Sequence, residues 1–322
     1  MGMTKSRLTW LLYAADYVLR QKFPVYQKNK KYCKREVLDM YGSSGVLSDM
    51  IRGGEPFAVG RLGLFELAAM RMYEFGIKKK YSLVMNNIYN CAGFFPNDIS
   101  YGYKFNDCMK DAMSVMDIQA ANTNVIENYF IDHYLPKDSV VCDSFDLFEV
   151  CKLGNDSWTK ALEGKKVLVV TSFPESVKIQ YEKREKLFLG TDILPEFELK
   201  TYKPLMTVGN LKDDRFDNWF EALYFMAEEI LKIDFDIALL GCGAYGYPLA
   251  ADIKRGGRQA VHMGGAIQLM FGIMGKRWDG TRPGSDGKMR ADVAKYYNDD
   301  WIYPIEEKPA DADKVEYGPY WK

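Results

Sequence analysis

Apolar positions along this chain fall into two rhythms. Short, mostly apolar runs recur near residues 57–59, 166–170 and 235–240, each bounded by glycine, proline or charge. Runs of that length between turn residues predict strands buried on both faces. Between them the spacing turns helical. Residues 67–75 read as helix, and so do 122–134, which Pro136 follows. Asn218 opens a third helix, with Glu221 as its capping partner and Phe220, Leu223, Ala227, Ile230 and Leu231 as its buried stripe.

The stretch 235–265 holds the clearest unit. A buried strand over 235–240 leads into Gly241-Cys242-Gly243-Ala244-Tyr245-Gly246. Pro248 suits the first turn of the helix that follows, since its missing N–H has no intrahelical partner there. Gly256 and Gly257 end that helix with a left-handed cap, and 259–263 form the next strand. Strand, glycine turn, helix, strand is the parallel unit of an α/β sheet. The expected fold is therefore α/β: a Rossmann-like, mostly parallel sheet flanked by helices, spanning residues 51–278. Residues 1–50 read as a basic amphipathic helical segment, and 279–322 as a tail pinned by Trp301, Tyr303, Tyr320 and Trp321.

Other stretches are less periodic. Residues 86–107 carry many Asn, Gly, Tyr and Phe residues and read as a long loop or pair of loops. Residues 153–166 mark a linker or long turn. Ser172-Phe173-Pro174-Glu175 reads as a capping box opening a helix to about Phe188, with Ser172 either a plain cap or a ligand contact. Residues 199–208 are extended in character, interrupted by Pro204. Lys276 and Arg277 either meet phosphate or are surface charge.

Composition narrows the function classes. A net charge of −1 gives no global footprint for nucleic acid. The six cysteines form no C-x-x-C pair and have only His133 and His262 as possible soft co-ligands, so reduced cytosolic thiols are the simpler reading. No run reaches membrane-spanning length. In residues 1–35, nine Lys and Arg residues accompany the single acid Asp16, and Leu8, Leu11, Leu12, Ala15 and Leu19 repeat at helical spacing. Such a segment either docks on the domain with a solvated basic face or makes a peripheral contact with an anionic membrane. The expected location is cytoplasmic; on the second alternative the contact is at the inner face of the membrane.

The glycine turn fits G-x-G-x-x-G by letter. Such a turn lets backbone amides and a helix N-terminus approach an anion. A nicotinamide fold wants an acid at the end of the second strand, where this chain has His262-Met263-Gly264-Gly265. A nucleotide or nucleotide-sugar role and a purely structural tight turn stay open. Near the first strand, Arg61 and Glu66 flank a strand-to-helix turn. That pair suits a diphosphate with a metal or sugar hydroxyl, and equally an internal ion pair.

Arg61-x-Gly63-x-x-Glu66, the strand and turn through Gly246, and Gln259-Ala260-Val261-His262-Met263-Gly264-Gly265 together resemble the GT-D type glycosyltransferase family, over about residues 55–278. The likeness is to a branch found among bacterial surface-polysaccharide genes. It implies a Rossmann-like domain that moves a sugar from a nucleotide diphosphate sugar donor to a glycan acceptor. Arg61, Gly63, Gly241, Gly243, Ala244, Tyr245 and Gly246 would then bind the nucleotide sugar. Glu66 would bind a metal or donor hydroxyl or act as the base, and His262 is a second catalytic candidate. The family motif reads Arg-x-Gly-Asp-Gly-Glu, and its acidic pair serves metal (Mn2+ or Mg2+) and donor binding. Here Leu64 stands at the Asp position and Phe65 at the second Gly. Leucine offers a hard cation no oxygen ligand. The alternative is a catalytically degenerate module of the same fold that binds a glycan or a partner.

Overall fold

A computed structural model describes residues 8–15, 31–32, 35–121, 127–209, 211, 213–278, 291–309, 318 and 320–321. Residues 122–126, most of the basic N-terminal stretch and much of the predicted tail lie outside the described residues. The strands are β1 (Lys31–Tyr32), β2 (Arg35–Leu38), β3 (Ala58–Gly60), β4 (Ile118–Ala121), β5 (Val140–Asp143), β6 (Lys166–Thr171), β7 (Glu198–Tyr202), β8 (Ile237–Gly241) and β9 (Gln259–His262). They form one sheet in the order β1-β2-β5-β4-β3-β9-β8-β6-β7. Strands β2 to β9 run parallel, and only the two-residue β1 is antiparallel. The α/β class expected from the sequence is the fold.

The helices between β2 and residue 270 are α1 (Met40–Gly53), α2 (Leu64–Glu74), α3 (Tyr81–Ala92), α4 (Gly102–Met113), α5 (Glu127–Tyr134), α6 (Ser144–Phe148), α7 (Pro174–Glu182), α8 (Arg184–Leu187), α9 (Trp219–Lys232), α10 (Gly246–Arg255) and α11 (Ile267–Met270). They cover both faces of the sheet. Successive strand residues alternate between two apolar clusters: Ala238 and Leu240 of β8 join α2–α5, α9 and α10, while Ile237 and Leu239 join α1, α6, α7 and α11. The period of two in an extended chain produces this division. A strand buried on both faces needs apolar side chains at every position, which is why β6 and β8 read as unbroken runs.

The two clusters also follow chain direction. Connections from β3, β4 and β8 step toward the β1 edge and place their helices in the first cluster. Connections from β2, β5 and β6 step the other way and place theirs in the second. One handedness of crossover requires that sorting. Adjacent strands β6 and β8 therefore send their chains to opposite faces, leaving a crevice beyond their carboxyl ends.

Three expectations are corrected. Residues 86–107 are not loop: Asn86–Ala92 end α3 and Gly102–Asp107 begin α4, joined by a short segment. Their aromatics are core, with Phe94 and Phe105 fully buried edge to face at 5.0 Å. Asparagine and glycine mimic loop composition here, but Asn90 hydrogen-bonds Asn86 one turn back, and Gly93 is a left-handed cap at φ 82°. Second, Ser172 does not cap α7. That helix begins with Pro174 at its first turn, and its amides at Glu175 and Ser176 donate to Glu306, both at 2.9 Å. A distant carboxylate has taken the place of a local cap. Third, of the linker or long turn expected over 153–166 the structure has the turn and not the linker: 3-10 turns at Gly154–Asp156 and Trp158–Leu162 that bury Trp158.

The cap on α9 is as expected. Asn218 accepts from the amides of Phe220 and Glu221, while Glu221 accepts from the amide of Asp217. At the N-terminus, residues 8–15 are helical. Trp10 packs on the first cluster while Leu8, Leu11 and Leu12 face outward. Among the described residues no helix is long and apolar enough to cross a membrane.

Candidate functional site

Loops leaving five neighbouring strands, β3, β9, β8, β6 and β7, line one cleft at the carboxyl rim, with a cavity volume of about 140 Å³. The cleft lies over the divergence of β6 and β8. Its location follows from topology, since only parallel strands deliver all their outgoing turns to one side.

Arg61 is the first residue past β3. Its guanidinium lies along Gly264, where a Cβ would sit 3.7 Å from Arg61 Cζ. Gly264 has φ +59°, so a side chain there would be strained as well as close to the arginine. On the next residue, a Cβ at Gly265 would meet Tyr320 Cε1 at 2.7 Å and Arg277 Nη1 at 3.3 Å. The Gly264-Gly265 pair thus lies between two guanidiniums, both lining the cleft. Arg277 also donates to the Tyr320 hydroxyl at 3.0 Å.

Glu66 sits in the first turn of α2, directly after β3. A Cβ at Gly63 would lie 2.1 Å from Glu66 Oε2, so the carboxylate folds back over the residue before its own helix. The positive end of the helix dipole favours a carboxylate there. Glu66 is buried to 9% exposure yet lines the cleft.

The glycine turn is shaped by close packing. A Cβ at Gly241 would meet Ile267 Cγ2 at 2.7 Å and the Gly264 carbonyl oxygen at 2.9 Å; at Gly246 it would meet His262 Nδ1 at 2.1 Å. Gly243 needs its positive φ of 60°. The Gly246 amide donates within the turn to the Gly243 carbonyl. Tyr245 is buried, stacked on Trp219 with centroids 4.9 Å apart, and forms an inner wall. Thr207 donates to the Gly93 carbonyl at 2.5 Å, so the Tyr245 hydroxyl must donate to Thr207 at 2.8 Å.

His262 ends β9 and lines the cleft beside this turn. Its Nδ1 lies 3.2 Å from the Leu240 carbonyl oxygen, an acceptor only, so Nδ1 carries the proton and Nε2 the lone pair. Burial, then the Arg61 charge, push its pKa down to about 3. The ring is a neutral acceptor at physiological pH, not a proton donor. Burial pushes the Cys242 thiol up to about 12, so it stays protonated and is a poor nucleophile.

Comparison of the chain with protein-family models, with curated proteins and with solved structures returned no match.

The structure brings Arg61, Gly63, Glu66, Gly241, Gly243, Tyr245 and His262 to one cleft, while Ala244 and Gly246 do not line it. Of the pair left open by the sequence, Arg277 is in the cleft and Lys276 is not. Gly93, Thr207, Gln268, Tyr320 and Trp321 line it too. Nothing in the local sequence marks Gln268 or Thr207, whereas the aromatic tail end was visible as an anchor. Among the described residues no group of three or more His, Cys, Asp or Glu side chains is placed to hold a metal ion. Beside Glu66, Leu64 offers a hard divalent cation no oxygen.

Proposed function

We propose that this protein is a transferase that takes a sugar from a nucleotide diphosphate sugar and passes it to a glycan acceptor. The observation that carries the reading is the meeting of Arg61 and Glu66 with Gly241, Gly243 and Tyr245 of the glycine turn in one cleft at the β6/β8 divergence. A diphosphate carries its charge on oxygens that arginine forks and backbone amides bind well. Arg61 and Arg277 would take up negative charge as the diphosphate leaves. The acceptor oxygen attacks the anomeric carbon, the bond from that carbon to the diphosphate oxygen breaks, and the acceptor proton passes to the Glu66 carboxylate. Neutral His262 would accept a hydrogen bond from the donor or acceptor at Nε2. Isothermal titration with a panel of nucleotide sugars, with and without Mn2+, tests this reading. Binding by at least one is expected, and binding by none removes it.

One observation favours a second reading, a non-catalytic module that holds a nucleotide or glycan. Glu66 folds back onto Gly63, a role a structural cap would also fill. The two readings part on Glu66→Gln. Loss of sugar transfer with ligand binding retained supports catalysis; a wild-type protein that binds but never transfers supports the module.

A further inference from the structure

At the end of the cleft under the C-terminal residues, two buried polar groups are left over. Gln268, on α11, is 1% exposed, and Trp321 is 6% exposed. Both line the cleft. The Gln268 amide nitrogen donates to the Tyr320 carbonyl at 3.1 Å, which holds the carboxamide against the residue preceding Trp321. Gln268 Oε1 and Trp321 Nε1 have no hydrogen-bond partner. Buried polar atoms are nearly always paired, and leaving one unpaired is costly. The orphan acceptor and the orphan donor are themselves buried and belong to two side chains that line one end of the cleft, and a ligand with a donor and an acceptor of its own that displaces them slightly would pair both.

The surroundings narrow the ligand. The Trp321 indole meets Phe173 edge to face at 4.9 Å, so the wall is aromatic. Arg277 and Tyr320 stand between this corner and the Gly264-Gly265 turn, with Arg61 beyond. A flat group with an N–H and a carbonyl or ring nitrogen on one edge, attached to an anion that reaches the arginines, matches all four features. We propose that the Gln268–Trp321 corner reads the base of a nucleotide, Gln268 Oε1 accepting from a base N–H and Trp321 N–H donating to a base acceptor. Tyr320 and Trp321 are then part of the binding site, not only an anchor. This rests on the nucleotide part of the function proposed above, and not on sugar transfer.

The test is calorimetric titration of the full chain with uridine, guanosine, adenosine and cytidine diphosphates, the corresponding nucleotide sugars, ribose 5-phosphate and pyrophosphate. Trp321→Phe keeps an aromatic ring against Phe173 and removes the N–H together with the rest of the pyrrole ring. At least one nucleoside diphosphate is expected to bind tighter than the base-free ligands. In Trp321→Phe that ligand weakens about five- to thirtyfold while pyrophosphate is unchanged. Gln268→Glu provides a second variant of similar size. It retains an acceptor but loses the donation to Tyr320, and circular dichroism reports whether it folds. Equal affinity for pyrophosphate and every nucleoside diphosphate in the wild type overturns the proposal and leaves an anion cleft. A Trp321→Phe loss confined to nucleotide sugars also overturns it and gives the corner to the sugar. Base-dependent binding without any transfer leaves this inference standing and removes only the catalytic reading.

Discussion

His262 Nδ1 donates to the carbonyl of Leu240, 3.2 Å away, between residues that the sheet register already sets opposite each other. The ring is thereby fixed as one neutral tautomer whose other nitrogen is an acceptor. Because its native pKa is pushed down to about 3, the unfolded chain binds a proton below about pH 6.5 that the native protein refuses. Stability is lost as pH falls through that window, with a slope of at most about 1.4 kcal/mol per pH unit from this group. His262→Asn keeps a donor near Nδ1 and removes the titration. Urea midpoints from pH 7 to pH 4 should show the variant weaker at pH 7 but flatter toward acid. An unchanged acid slope would rule this out.

Thr207 joins three elements through one hydroxyl, donating to Gly93 and accepting from Tyr245. Thr207→Val keeps the shape and strands both partners in the core. Destabilisation of about 1–3 kcal/mol is expected by denaturant unfolding, with Thr207→Ser recovering most of it. If valine is tolerated as well as serine, the hydroxyl is not the link.

Two glycine-to-alanine changes should have opposite signs. Gly246→Ala drives a Cβ into the buried His262 ring, 2.1 Å from Nδ1, and should cost about 1–3 kcal/mol. Gly45 is exposed within α1, with nothing within 4 Å of an added Cβ. Gly45→Ala should stabilise by about 0.5–1 kcal/mol through the unfolded state. Thermal melts of the two variants measure both, and equal signs would contradict the packing described.

Arg61 and Arg277 flank the Gly264-Gly265 turn, so their charges should act on one anionic ligand. Arg61→Ala should weaken nucleoside diphosphate binding about ten- to hundredfold. Lysine at that position should fall between, because it keeps the charge and loses the planar fork. Titration at low and high salt should show the wild-type affinity dropping more steeply than the variant's. Wild-type affinity for diphosphates in Arg61→Ala would place the anion elsewhere.

Much of this architecture is legible in local sequence. Buried parallel strands must be apolar at every position, so β6 and β8 announce themselves as runs. The cap at Asn218 and the cap at Gly257, φ +81°, depend only on neighbours in the chain. The stretch 86–107 misleads for a physical reason. Its asparagines and aromatics carry loop composition, while α2 and α9 supply the burial that makes it helical.

Sequence alone set the class of the fold, the glycine turn after β8 and the presence of Arg61 and Glu66 after another strand, because these rest on local backbone preference and apolar period. Tertiary structure decided that β3 lies beside β9, and so that Arg61 meets a turn nearly two hundred residues away. It also set the direction of Glu66, capped α7 with Glu306 and brought Gln268 and Trp321 to one corner. Strand order and long-range side-chain partners come from the packing of the whole core, and no short window of residues contains that packing.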